Sequence, residues 1–291
     1  MSVLPEPHKA VLMKRASRAA VATAAVLLVA KMAAWIMTGS VSILATFIDS
    51  LLDAFASIIN LVAVSIALRP ADDDHPYGHG KAEQLAALAQ SAFIAGSGMF
   101  LVLHAIDGIR EGTAIDNSQI ALGVMAFSIV LTLALVSYQH YVVKMTGSLA
   151  IKTDAIHYRM DLLTNFGVVI ALLLSVAGLP LADPLIGIVI AVYMLVSVSK
   201  VAWQAIEMLM DKALDQESEQ EIAEQIRSVE QVLGFHNLRT RMSGITPVIQ
   251  LDLDLDGNLS LEEAHAIGKQ VKNRLLEKMP EADITIHIDP N

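Results

Sequence analysis

Two pairs of ionisable residues interrupt otherwise apolar sequence at the same spacing. Asp49 and Asp53 lie within IDSLLDAFASIINLVAV, and His157 and Asp161 lie within DAIHYRMDLLTNFG. Each pair is i, i+4, so on a helix the two side chains share one face, with Cβ atoms roughly 6 Å apart. An ionised carboxylate at lipid depth costs several kcal/mol unless something compensates it, so four such groups are seldom incidental. Brought together, the two faces offer three carboxylates and one imidazole, a set that can surround Zn²⁺ or a similar borderline dication tetrahedrally. The same groups can instead carry protons alone, and that proton-only relay is the sharpest competing reading. The chain has no cysteine, which excludes thiolate ligands, disulfides and cysteine nucleophiles.

The elements that must position these groups are membrane spans. The chain has 291 residues, a mean hydropathy of +0.54 and only 17% charged residues, too apolar for a domain that hides its surface in one soluble core. Apolar stretches long enough to cross about 30 Å of hydrocarbon recur near 17–38, 41–67, 84–109, 118–144, 148–177 and 182–208. Six spans are therefore expected, with breakers such as Gly39, Pro70, Gly147 and Pro180 between them. The first follows basic residues without a convincing cleavage site and reads as an uncleaved span. Lys9, Lys14, Arg15, Arg18, Arg69, Lys81, Lys144 and Lys152 fall on one side of the alternating loops, so both termini are expected in the cytoplasm. Lys31 sits inside the first span, and Asn165, four residues after Asp161, is spaced to orient a carboxylate.

From about Asp211 the texture becomes that of a small soluble α+β domain. The sequence predicts a helix near 217–230, strands over 235–242 and 247–255, a helix opened by a Ser260/Glu263 capping box, and a last strand over 284–288. The division is thus a cytosolic segment over 1–16, a six-helix transmembrane domain over 17–210 and a cytosolic domain over 211–291. Of the 30 acidic residues, 16 lie from Asp211 onward, which argues against nucleic acid as a partner. Asp252, Asp254, Asp256, Gly257, Ser260 and Glu263 fit an EF-hand loop on paper. However, the run from 247 to 255 alternates with period two, so the three aspartates share a strand face rather than leaving a helix.

The six-span layout and soluble tail, with GSVSILATFIDSLLD, PADDDHPYGHGKAEQLAALAQS, HYRMD and HNLRTRMSG, resemble the cation diffusion facilitator family over nearly the whole chain. The resemblance implies a homodimer in a bacterial inner membrane, which exports Zn²⁺, Fe²⁺ or Cd²⁺ in exchange for protons from a transport site made of Asp49, Asp53, His157 and Asp161. It also implies a loop metal site at Asp72, His75 and His79, although a solvated acidic loop that merely attracts cations gives the same residues. Lys81 matches a family lysine that pairs with an aspartate after span six, here Asp211; alone it would read as a snorkelling anchor. In the tail, His236, Asp252, His265, His287 and Asp289 match or replace family ligands of a two-metal site, against a plainer reading as surface histidines. Asp252 stands where the family pump has histidine, and Ile288 where a polar residue is usual. A harder cluster, or one with a single ion, is then an alternative.

Other classes place similar residues in lipid. An intramembrane metalloprotease needs an H-E-x-x-H helix, which the sequence lacks, so no enzyme is expected. A metal-gated sensor or channel would use the tail ligands as its signal and would need no tight midplane site.

Overall fold

The computed structural model describes residues 6–39, 41–111, 119–176 and 181–291. Six long helices come first: α1 (Glu6–Thr38), α2 (Val41–Ala67), α3 (Ala82–Glu111), α4 (Gln119–Thr146), α5 (Leu149–Val176) and α6 (Ala182–Leu209). Five of them, all but α5, contain stretches long and apolar enough to cross a membrane. With 28 residues α5 matches the others in length, but its first half carries Lys152, Asp154, His157, Arg159 and Asp161. The helix that breaks the hydropathy rule is therefore the one that holds the sequence-predicted imidazole. Phe55, Ile59, Val130 and Val189 turn outward, as a lipid-facing surface requires.

Within the bundle α3 packs along α6 and α1 along α2, while α5 touches α2, α3, α4 and α6. The central position of α5 explains how one helix can present ligands to several neighbours. Gly147 ends α4 at φ +71°, its N–H donating to the Val143 carbonyl at 2.8 Å, and the chain re-enters the bundle at once as α5.

The tail runs α7 (Gln216–Arg227), β1 (Gly234–Ser243), β2 (Thr246–Leu255), α8 (Leu261–Lys278) and β3 (Asp283–Pro290). β1 pairs antiparallel with β2, and β3 adds parallel to the other edge of β2, giving the order β1-β2-β3. The expected capping box is present: Ser260 Oγ accepts from the Glu263 N–H while Glu263 reaches back to the Ser260 N–H. Ile249, Leu251, Leu253 and Leu255 of β2 are buried with Ile222 and Ile226 of α7 and Ile267, Val271 and Leu275 of α8. Each such side chain contributes roughly 1.5–3 kcal/mol by leaving water. That alternation fixes the other residues of β2, Asp252 and Asp254 among them, on the face turned away from the helices. The EF-hand pattern is accordingly a strand followed by a turn and α8, as its alternation indicates.

Tail and bundle meet at the β1–β2 turn. Gly244, at φ +62°, lies against the backbone of Gly80 so closely that a Cβ on Gly80 would stand 2.6 Å from the Ser243 carbonyl oxygen. The next residue, Ile245, packs against a cluster of Met13, Ala16, Val64, Val142, Ala150 and Ile151 drawn from four bundle helices.

Candidate metal centres

Among the described residues, three groups of carboxylates and imidazoles lie close enough to share an ion, with ligand atoms in each within 4.8 Å of one another. The first is inside the bundle. His157 Nε2 on α5 is 2.9 Å from Asp53 Oδ1 on α2 and 3.8 Å from Asp161 Oδ2 one turn along its own helix. Ligand atoms around tetrahedral zinc stand roughly 3.3 Å apart, given bonds of about 2.0 Å. The two distances bracket that value. The His157 ring is buried, edge-on to Phe93 and Tyr158, which hold it in place and keep water from it. Tyr158 is anchored in turn by a 2.7 Å hydrogen bond with Ser57 Oγ.

Asp49 is not in this group. One turn before Asp53, it is exposed on α2, and Lys31 Nζ donates to the neighbouring Ser50 Oγ at 2.7 Å. An i, i+4 pair shares a face but is offset by roughly 6 Å along the axis. The level of α5 opposite α2 thus decides which carboxylate meets His157, and here it is Asp53.

The second group is the loop after α2. Asp72 Oδ1 accepts from the His75 backbone N–H at 2.7 Å, and that bond holds the Asp72 carboxyl below its ordinary range. His75 Nδ1 lies 3.2 Å from Asp72 Oδ1, and His79 Nε2 lies 3.4 Å from Asp72 Oδ2. The ring centroids of the two histidines are 4.4 Å apart. All three sequence-predicted loop residues are therefore brought together, Asp72 and His75 exposed and His79 largely buried behind them.

Just beyond the loop, Lys81 Nζ meets Asp211 Oδ1 at 2.8 Å, and Arg241 Nη1 of β1 approaches the same oxygen at 3.5 Å. The hydrogen bond from Lys81 is the main cause that holds the Asp211 carboxyl below the usual carboxylate value. The residue before α3, the second residue after α6 and the first strand of the tail are thereby tied at one point.

The third group lies on the open face of the tail sheet. Register places His236, Asp252 and His287 in one row and Gly234, Asp254 and Asp289 in the next. His236 Nδ1 is 3.1 Å from Asp254 Oδ1, and its Nε2 is 3.4 Å from Asp289 Oδ2 and 3.8 Å from Asp252 Oδ2. His287 Nε2 adds a 3.1 Å contact to Asp289 Oδ1, while Asn237 Nδ2 donates to Asp252 Oδ2 at 2.7 Å. Four of the five sequence-predicted tail residues thus lie together. His265 does not: it is exposed on α8 and outside this group. Ile288 packs toward α8, 3.3 Å from where a Gly268 Cβ would sit, so the residue at that position does not face the cluster. The candidate ligand that sequence reading missed is Asp254. Its signal was the period-two alternation that set it on the face of Asp252; only the register with His236 shows it to be the nearer carboxylate.

Comparison with known proteins supplies context for these centres. Residues 17–210 match the family described as the cation efflux transmembrane domain, and residues 214–291 match the cytoplasmic domain of cation efflux proteins. The chain is 44% identical over 279 residues to the cation-efflux pump FieF of Salmonella choleraesuis, covering 96% of this chain and 93% of that one. The FieF of Salmonella typhimurium matches with the same identity and coverage. Among solved structures, the zinc form of the putative zinc transporter CzrB is 29% identical over 28% of this chain and 93% of its own, with a TM-score of 0.26. The metal-bound C-terminal domain of the CzcD transporter from Thermotoga maritima is 26% identical over 26% of this chain and 94% of its own, with a TM-score of 0.24.

Proposed function

Because the chain belongs to the cation efflux family of membrane transporters, we propose that it exports a divalent metal cation in exchange for protons, by alternating access at the Asp53, His157 and Asp161 cluster. The single observation that carries this reading is the 2.9 Å approach of His157 to Asp53 across two helices, with Asp161 completing the group in the bundle. Neutral imidazole and ionised carboxylate bind a dication, whereas their protonated forms do not, so metal and protons occupy the cluster at different times. A site loaded from the less acidic side and discharged toward the more acidic side moves metal outward. Asp49 joins as fourth ligand in a state where α2 slides relative to α5 by part of a turn.

The donor set of carboxylates and imidazole suits Zn²⁺, Fe²⁺ or Cd²⁺ as substrate. In this reading α5 also crosses the membrane and brings the spans to six, both termini are cytoplasmic, the membrane is the bacterial inner membrane, and residues 17–210 and 211–291 work as separate domains of a homodimer. The loop group gathers cations at the mouth, and the tail group of His236, Asp254 and Asp289, flanked by Asp252 and His287, binds a regulatory ion. His265 is then left to serve the assembled dimer. Reconstituted protein tests the reading: zinc-driven proton counterflow that disappears in Asp53→Ala supports it. Zinc flux at channel rates without proton movement overturns it.

A further inference from the structure

Three residues before His157 on α5, Asp154 is completely buried. Among the described residues, neither the candidate metal cluster nor any ion pair uses it. Its Oδ1 accepts from Gln90 Nε2 of α3 at 3.0 Å, and its Oδ2 accepts from Gln139 Nε2 of α4 at 2.6 Å. The titratable groups acting on it are His157 and Tyr158 of its own helix and Asp53 of α2. From α3 and α4, among the described residues, only these two amides bond it. The Oε1 atoms of both glutamines are buried without a partner, as are Ser91 Oγ and both amide atoms of Asn60. Gln90 and Asn60 also line a cavity of about 240 Å³ between α2 and α3, otherwise walled by Leu52, Phe55, Ile59 and Phe93. Its walls are mostly apolar, so Gln90 and Asn60 are its main polar groups.

We propose that Asp154 is a second proton-binding group of the transport cycle, separate from the metal ligands and served by the amides of Gln90 and Gln139. Its two hydrogen-bond partners are uncharged amides, which makes both forms tolerable. The anion receives two N–H bonds, and the acid donates its O–H to a glutamine Oε1 once that amide turns over. A carboxylate with no ion-pair partner among the described residues carries a standing desolvation cost at this depth that a bound proton removes. The step balances simply: hydronium gives its proton to a carboxylate oxygen, leaving one water and a neutral carboxyl, and release to cytosolic water reverses it.

The inference rests on the proton-coupled reading above, and the experiment separates the two. Full-length protein in liposomes is driven by zinc, and protons moved per zinc are counted for wild type and Asp154→Asn, alongside zinc binding in detergent. The expected result is zinc affinity within a few-fold of wild type with one fewer proton exchanged. Wild type that moves zinc without protons sinks the coupled reading itself. Coupled wild type with an unchanged proton count in Asp154→Asn overturns the role of Asp154 alone. Should that variant fail to fold, infrared difference spectra of wild type and Gln139→Leu decide: a carboxyl band that appears on acidification must shift when Gln139 is lost. If no such shift is seen, Asp154 is not the group being protonated.

Discussion

His157 on α5 and Asp53 on α2 face each other at 2.9 Å, 104 residues apart in sequence, whereas Asp49 on the same helix face as Asp53 stands outside their group. This pairing ranks the ligands. Asp53→Ala or His157→Ala removes one of three donors and is expected to weaken zinc binding by more than about 100-fold, beyond the 10–100-fold typical of outer partners. Asp49→Ala is expected to keep measurable binding while stopping transport, because its part comes in another state. Calorimetry beside liposome uptake separates the two; equal loss of binding in Asp49→Ala and Asp53→Ala would contradict the ranking.

The Lys81–Asp211 pair gives a pH prediction of definite sign. The folded Asp211 carboxyl lies below its unfolded value near 3.8, held there chiefly by the Lys81 hydrogen bond. Its contribution is therefore fully present above that value and is lost as pH falls through the lower folded value. Between pH 5 and pH 8, Asp211→Asn should show a constant deficit from wild type, a gap that closes only in stronger acid. The pair is half-exposed, so the deficit should stay under about 1 kcal/mol. Melting curves across pH check both points; a deficit that grows from pH 5 to pH 8 would exclude the linkage.

Asp72, His75 and His79 form a cluster before α3. In a capture role they raise the local cation concentration without taking part in translocation. Asp72→Ala should then raise the zinc concentration for half-maximal uptake and leave the maximal rate unchanged. A fall in maximal rate at saturating zinc would make the loop part of the translocation machinery instead.

Gly80 and Gly244 touch backbone to backbone, so a methyl group at Gly80 meets the Ser243 carbonyl carbon and oxygen at 2.7 and 2.6 Å. Nothing there is a flexible side-chain end that can swing away. Gly80→Ala should push the β1–β2 turn off the bundle and cost about 1–3 kcal/mol, as overpacking does elsewhere. Proteolysis between tail and bundle should quicken in parallel, and unchanged protection would argue that the contact carries no stability.

Much of this architecture could be read from residue order. The i, i+4 spacing put Asp49 with Asp53 on one helix face and His157 with Asp161 on another, the Ser260/Glu263 box opened α8, and the alternation of β2 sent Asp252 and Asp254 to one face. Periodicity describes one element at a time and is silent on how two elements are offset. Hence it could not choose between Asp49 and Asp53, nor find Asp254, whose approach to His236 depends on a register shifted between His236 and Arg239. It also missed Asp154, since a lone aspartate in a helix reads alike whether it faces water or two glutamines from other helices. The Gly80–Gly244 contact was equally hidden, because neither glycine carries a pattern that points to the other.

Ile245 has a consequence that reaches beyond packing. A side chain from the tail is seated among Met13, Ala16, Val64, Val142, Ala150 and Ile151, at the ends of helices that must move if access alternates. Any rearrangement that closes this seat must expel a partly buried isoleucine, at a cost below the roughly 1.5–3 kcal/mol of a fully buried one. If an ion in the tail cluster alters how the turn sits, it is weighed against the posture of the bundle, and by reciprocity the posture of the bundle would set how tightly the tail holds that ion. A measured tail affinity should accordingly differ between protein locked open to one side and protein locked open to the other.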